Sequence, residues 1–285
     1  MKNIKYFSLA VAVMAAISFS ACKKYIDRNP LSSLTTANFY NTGEQVQLAL
    51  VGVYNAVGAR TVSPGFSNPT TYYAKMDLYT EIGLERGAGG TIASGAYDPI
   101  NGSVAEIWAA FYQVIQRANN LLFYMKKAEA VMPPAEYNRV VAEAKVLRAY
   151  AYWYLITLYG DVPFFTAPPA SQSEFFNYTR TDKKIIIDFL LNEMTEVSVN
   201  LDWNPSAAGR VSKGVAKGIA ARLAMLDRRY QTVADITDDI ILNGGYGLNP
   251  VFQNLFRKAG QTTNANKEIM FYYPFGDLED RKRVV

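Results

Sequence analysis

One stretch limits what this chain can become: Ala142 to Phe165, AEAKVLRAYAYWYLITLYGDVPFF. Val140, Ala144, Leu147, Ala151, Tyr154 and Leu158 recur at steps of three and four, the spacing of one helix face. Tyr150, Tyr152, Trp153, Leu155 and Ile156 fill the other faces, so this helix is apolar all round and has to be enclosed. Gly160 is placed to end it in a left-handed cap, and Pro163 cannot continue it. The last helical residue is therefore expected near Tyr159. Arg148 lies inside the most apolar part, where an unpaired charge is costly, so a carboxylate or carbonyl partner and a structural role are expected.

Other helices are available to enclose it. Asn41-Thr-Gly-Glu44 offers an N-cap with a returning Glu, and Val46, Leu50, Val53 and Val57 mark one face of a helix to about Gly58. A second helix is expected from Ser103 to about Ala128, with Ile107, Ala110, Phe111, Val114, Ile115, Ala118, Leu121 and Leu122 toward the core. Pro133 and Pro134 break the chain before the central helix and make the two an antiparallel pair. Further helices are read over Ile185 to Val199, Val215 to Tyr230 and Val233 to Leu242, the last ended by Gly244-Gly245. Gly214, Gly218, Ala216, Ala220, Ala221 and Ala224 would allow close backbone approach between helices. No 34-residue consensus is visible, so the periodicity gives a mainly α protein of stacked antiparallel helical hairpins with long loops and little β. Glu268 to Pro274 reads as a short strand.

Between Arg60 and Asn101 the helical pattern breaks into Pro, Gly, Ser and Asn, with Phe66, Tyr72, Tyr73, Tyr79 and Tyr97 among them. Part of it, Tyr72 to Leu84, has room for a helix. Irregular stretches of this length inside a globular chain are uncommon and often functional. A sugar offers a C–H face and a rim of hydroxyls, so an exposed Tyr beneath it with Asn or Asp at the edge binds without any ionisation. Tyr97, with Asp98 and Asn101 nearby, fits that description, and Tyr73 is the fourth candidate; local core packing is the competing reading for each.

Catalysis finds less support. The chain has no His, which removes the commonest general base, the His-dependent nucleophile systems and most zinc sites. No cofactor or metal is expected. Asp77 and Glu81, with Glu85 a turn on, could share a helix face, but glycoside hydrolysis needs two carboxylates at a defined separation across a sugar. A solvated or Lys-paired face is the expected role. Gly87-Ala-Gly-Gly90 lacks the following Lys-Ser/Thr of a phosphate cradle and reads as a loop. Lys213, Lys217, Arg222, Arg228 and Arg229 make one helix basic, which by default is again a solvated face. Trp108 and Trp153 fall at core spacing and are read as packing residues.

Residues 1–21 form an export signal: Lys2 and Lys5, an apolar run from Phe7 to Phe19, then Ser20-Ala21 before Cys22. As a helix that run would reach roughly 20 Å at about 1.5 Å per residue, short of a hydrocarbon core of about 30 Å. With the signal removed, 27 basic side chains face 25 acidic ones, a balance that argues against nucleic acid as a partner. Residues 22–36 read as an extended tether, and residues 37–285 as the helical domain.

Glu143-Ala-Lys-Val-Leu-Arg148-Ala-Tyr followed by Leu158-Tyr-Gly-Asp-Val-Pro163 resembles the signature helix of SusD/RagB-like outer-membrane nutrient-binding lipoproteins. Phe39-Tyr-Asn, then Trp108, Tyr112, Ala118-Asn119 and Leu122, then the Ala-rich helix near 215–224 resemble further segments of that family in the same order. The resemblance implies a TPR-like framework and a non-enzymatic protein that binds oligosaccharides or glycans for import through a SusC-like TonB-dependent transporter. It also implies lipidation of Cys22, which would anchor the chain in the outer membrane. Display at the cell surface is expected, although Lys23 and Lys24 stand where surface-exported lipoproteins often carry acidic residues. RagB-type relatives keep a second reading open, a helical-repeat scaffold or peptide-binding lipoprotein. Family members are typically far longer, so the resemblance implies a chain truncated before the family's C-terminal half.

Overall fold

In the computed structural model, the residues described are 38–58, 102–256 apart from 206 and 208, and 267–272. The residues read as signal and tether, Cys22 with them, and the stretch 60–101 with Tyr73, Asp77, Glu81, Tyr97, Asp98 and Asn101 lie outside them. The chain divides into two units between Phe39 and Tyr40, and the described helices and strands all belong to the second.

Helix α1, Gly43–Gly58, buries Val46, Leu50, Val53 and Val57 as their spacing predicts. Its cap falls one residue later than Asn41 and Glu44. Gln45 N–H donates to Thr42 Oγ1 at 3.3 Å, and the Gln45 side chain returns to accept from Asn41 N–H at 2.8 Å. The separation is the three residues expected, moved one position along the chain, with the returning Gln45 reaching the N–H just before Thr42.

Helix α2, Gly102–Tyr124, continues into a 3-10 turn over Met125–Ala128 and buries Ile107, Phe111, Val114, Ile115, Ala118 and Leu121. Helix α3, Pro134–Tyr159, starts with a proline at its first position, where the missing N–H costs nothing. It ends at Tyr159. Gly160 has φ +71° and ψ −125°, a positive-φ geometry that disfavours any side chain, although its ψ departs from the left-handed cap.

A strap follows α3. Strand β1, Val162–Pro163, pairs antiparallel with β2, Arg180–Thr181, in the register Val162 to Thr181 and Pro163 to Arg180. Between them lies the short helix α4, Gln172–Phe176. Helix α5, Lys183–Ser198, is capped by Asp182, which accepts from Lys184 N–H. Helix α6, Lys213–Leu226, is capped by Ser212, which accepts from Val215 N–H. It ends four residues before the expected Tyr230, because Arg228 takes φ +57° and Tyr230 opens helix α7, Tyr230–Asn243.

Apart from the short α4, successive helices are packing neighbours, α1 on α2, α2 on α3, α3 on α5, α5 on α6 and α6 on α7. The central α3 touches α1, α2, α5 and α6, which is how its all-round apolar surface is enclosed. Trp108 packs edge-on to Tyr159 with ring centroids 5.0 Å apart, and Trp153 packs against Tyr154. Both belong to the shell around the core.

Two expectations are corrected. Gly214 does not mark backbone contact between helices: a Cβ there would lie 2.3 Å from Tyr246 Oη, so its missing side chain makes room for a tyrosine. Residues 267–272 form a turn and an irregular segment, not a strand. No strand pairs with them among the described residues. Gly247 N–H donates to Lys267 O, Asn249 N–H donates to the Glu268 carboxylate, and Phe271 packs on the core.

Candidate functional site

Arg148 is 2% exposed in the heart of α3. Its Nη2 donates to Glu193 Oε1 at 2.6 Å, and its Nη1 to Asn119 Oδ1 at 2.7 Å and Thr166 O at 3.0 Å. The guanidinium thus ties α2, α3, α5 and the strap together, with both kinds of partner that burial demands. Lys145 Nζ lies 3.4 Å from the same Glu193 oxygen.

The network continues into the strap backbone. Asn119 Nδ2 donates to Phe165 O at 3.0 Å, and the Tyr152 hydroxyl donates to the same oxygen at 2.8 Å while accepting from Phe165 N–H at 3.0 Å. Tyr112 O–H donates to Pro163 O at 2.7 Å. Burial holds the Tyr152 and Tyr112 phenols well above the usual tyrosine range, so both remain donors. The strap from Pro163 to Thr166 is therefore fixed against the core by side chains at three successive anchor points.

This anchoring presents a ring. Phe165 stacks on Tyr112 at 5.8 Å between centroids and 17° between planes, and on Tyr178 at 4.9 Å and 9°. Beside the stack is a cleft of about 500 Å³, lined by Ala109, Tyr112, Gln113 and Gln116 of α2 and by Phe165, Pro169 and Ser171 of the strap. The α2 positions are spaced by three, four and seven residues and so share one helix face, adjacent to the buried one. Gln113 and Gln116 are exposed, while Tyr112 and Phe165 are half-buried. Aromatic rings beside amide groups give the cleft an apolar part and a hydrogen-bonding part, which suits a ligand with an apolar face and a hydroxyl rim. Among the described residues, no carboxylate lines the cleft.

A second buried charge serves the framework. Glu143 Oε2 accepts from Tyr54 O–H at 2.5 Å and pairs with Arg210 Nε at 3.0 Å, joining α1, α3 and the segment before α6. The Tyr54 hydroxyl oxygen in turn accepts from Val211 N–H at 2.8 Å. Burial pushes the Glu143 carboxyl above its ordinary range, opposed by the Tyr54 hydrogen bond and by Arg210 and Arg139.

Four of the five basic residues of α6 and its end, read from sequence as a solvated face, have side-chain partners within the chain, while Arg228 is exposed. Lys217 pairs with Asp239 at 2.6 Å, Arg229 with Asp188 and Asp227, while Lys213 lies over Trp203 and Arg222 over Trp153 at 4.9 Å. Among the described residues, no group of His, Cys, Asp and Glu is arranged to hold a metal ion.

The four ligand candidates Tyr73, Tyr97, Asp98 and Asn101 lie outside the described residues, as does Cys22. Sequence reasoning missed the cleft. Its α2 wall was visible as a line of Tyr112, Gln113 and Gln116 flanking the apolar face, but its other wall depends on where the strap folds back.

A family model described as SusD-like, starch-binding and associating with the outer membrane, matches residues 24–224. The chain belongs to the SusD-like family. SusD-like protein P25 of Formosa agariphila is 24% identical over 295 residues, an alignment covering 95% of this chain and 52% of that protein. The SusD-like fold recurs in a carbohydrate binding protein from Bacteroides fragilis, with TM-score 0.67 and 23% identity over 76% of this chain and 44% of that one. It recurs also in surface glycan-binding protein A from Bacteroides thetaiotaomicron, solved in complex with laminarihexaose, with TM-score 0.66 and 19% identity over 81% and 49%. At these identities the structural likeness concerns the fold, and the chain spans about half the length of the curated relatives it matches.

Proposed function

We propose that this SusD-like chain is part of a non-enzymatic, lipid-anchored envelope protein that captures oligosaccharides at the outer membrane for a SusC-like TonB-dependent transporter. The observation that carries the reading is the cleft, where an aromatic stack and two exposed amides face a volume within the range of small-ligand pockets. The carbohydrate-binding proteins that share the fold support it. The anchor in this reading is acylated Cys22; no helix among the described residues is long and apolar enough to cross a membrane. Tyr73, Tyr97, Asp98 and Asn101 are assigned further contacts with the same glycan.

The test is titration calorimetry of the chain with neutral gluco-oligosaccharides, laminarihexaose first. Saturable binding that Phe165→Ala weakens by about 1–3 kcal/mol, the usual loss at a binding hot spot, is the expected result. Saturable binding of peptides in place of glycans would instead favour the RagB-like alternative. For the anchor, Cys22→Ala is expected to leave the membrane fraction; retention after a high-salt wash would overturn that assignment.

A further inference from the structure

We infer that the cleft beside Phe165 selects uncharged glycans, and that Glu174, with Glu106, turns acidic ones away. This rests on the glycan-capture reading and names the class of sugar the cleft would take.

The first observation is what lines the cleft. Its described lining residues are aromatic, amide, hydroxyl or aliphatic, with no lysine or arginine among them. A uronate or sulfate brought against such walls would lose water and gain no counter-charge.

The second is where three nearby cations stand relative to the lining. Arg148 is spent on Glu193, and Arg117 donates to Gly52 O on the α1 side of α2. Arg180 stands opposite Pro163 in the β1–β2 pair, next to the Tyr112 hydroxyl, which itself points at Pro163 O. None of the three is a lining residue.

The third is a fixed negative charge at the rim. The Glu174 carboxylate accepts from Ala170 N–H at 2.7 Å and from Tyr178 O–H at 3.2 Å. Ala170 sits between the lining residues Pro169 and Ser171, and Tyr178 is the ring stacked beneath Phe165. Glu174 is thereby held against the strap wall of the cleft. On the opposite wall, Glu106 precedes Ala109 by three residues and Gln113 by seven, which places it on the same face of α2 at the end of the row. Among the described residues, these two carboxylates flank a lining that carries no charge. Such an arrangement discriminates by repulsion as well as by fit.

The experiment compares uronic hexamers with their carboxyl-reduced, neutral counterparts, so that linkage and length are matched, with laminarihexaose as a neutral reference. Titrations are run on the full chain in low and high salt. The neutral member of a pair is expected to bind at least roughly fivefold tighter, in keeping with exposed charges worth up to about 1 kcal/mol each. That ratio should shrink in high salt, where exposed charges are screened. Glu174→Gln keeps an acceptor for Tyr178 O–H and should lower the ratio, as should Glu106→Gln, which lies outside the lining. Equal or tighter binding of the acidic member, or a ratio that neither variant changes, would overturn the inference and leave glycan capture standing. Failure of every glycan to bind would overturn both.

Discussion

Arg148 Nη2 and Glu193 Oε1 meet at 2.6 Å with side-chain exposures of 2% and 5%, an ion pair almost withdrawn from water. Such a pair contributes little net stability compared with a well-packed apolar pair, yet losing one member strands the other. Arg148→Met is therefore expected to cost about 3–5 kcal/mol in urea unfolding. Lys145, 3.4 Å from the same oxygen, should hold the loss toward the lower figure. Removing Glu193 as well, in Arg148→Met/Glu193→Leu, should recover part of it. A double variant no more stable than the single one would show that Asn119 and Thr166, not Glu193, are the partners that matter.

The need for that pair was legible in the sequence, because a charge inside an apolar helix has few solutions. Which residues supplied it was not, since Asn119 and Glu193 stand 29 and 45 residues away and nothing local points to them. The helices were legible for the complementary reason: Val46, Leu50, Val53 and Val57, or Ile107, Phe111 and Val114, report burial directly through their spacing. Where local geometry broke that spacing the reading slipped, as at Arg228, whose positive φ ends α6 early. The cleft was half legible. Tyr112, Gln113 and Gln116 follow from helical geometry, whereas Phe165 reaches them only because Tyr152 and Asn119 hold an aperiodic strap in place.

Glu143 gives a pH-dependent prediction. Burial raises its carboxyl above the ordinary value, so between the unfolded and folded pKa values the native state binds more protons than the unfolded chain. Its contribution is most favourable below the unfolded value, about 4.3 for a glutamate, and is lost as pH rises through the folded one. Glu143→Gln, which cannot ionise, should therefore gain stability relative to the parent as pH goes from 4 to 7. Chemical denaturation at a series of pH values checks this. A gap that moves in the parent's favour would mean that Arg210, 3.0 Å away, outweighs burial.

Tyr246 wedges against Gly214, where a Cβ would stand 2.3 Å from its hydroxyl oxygen. The ring is not free to retreat, because that hydroxyl meets Ser212 Oγ at 3.1 Å and Trp203 O at 3.3 Å. Gly214→Ala is expected to cost about 1–3 kcal/mol, the usual range for overpacking. In a Tyr246→Ala background the same change should cost much less, and thermal melts of the four proteins give the coupling. Equal cost in both backgrounds would refute the wedge.

Asn119 offers the sharpest test of how the cleft is built. Its Oδ1 accepts from Arg148 and its Nδ2 donates to Phe165 O, so one side chain links the buried charge to the ring that floors the cleft. Asn119→Asp keeps the acceptor for Arg148 but replaces the donor with an oxygen facing the Phe165 carbonyl. The framework should hold, since the Arg148 contact strengthens with charge. The strap should not, because Phe165 O keeps only the Tyr152 hydroxyl and meets a repelling oxygen. Glycan affinity is expected to fall by about 1 kcal/mol or more, the worth of one hydrogen bond, with a melting temperature close to the parent's. Titration beside a thermal melt separates the outcomes: affinity unchanged in a folded Asn119→Asp protein would mean that Tyr152 alone positions Phe165, and a parallel loss of both would reduce Asn119 to a packing residue.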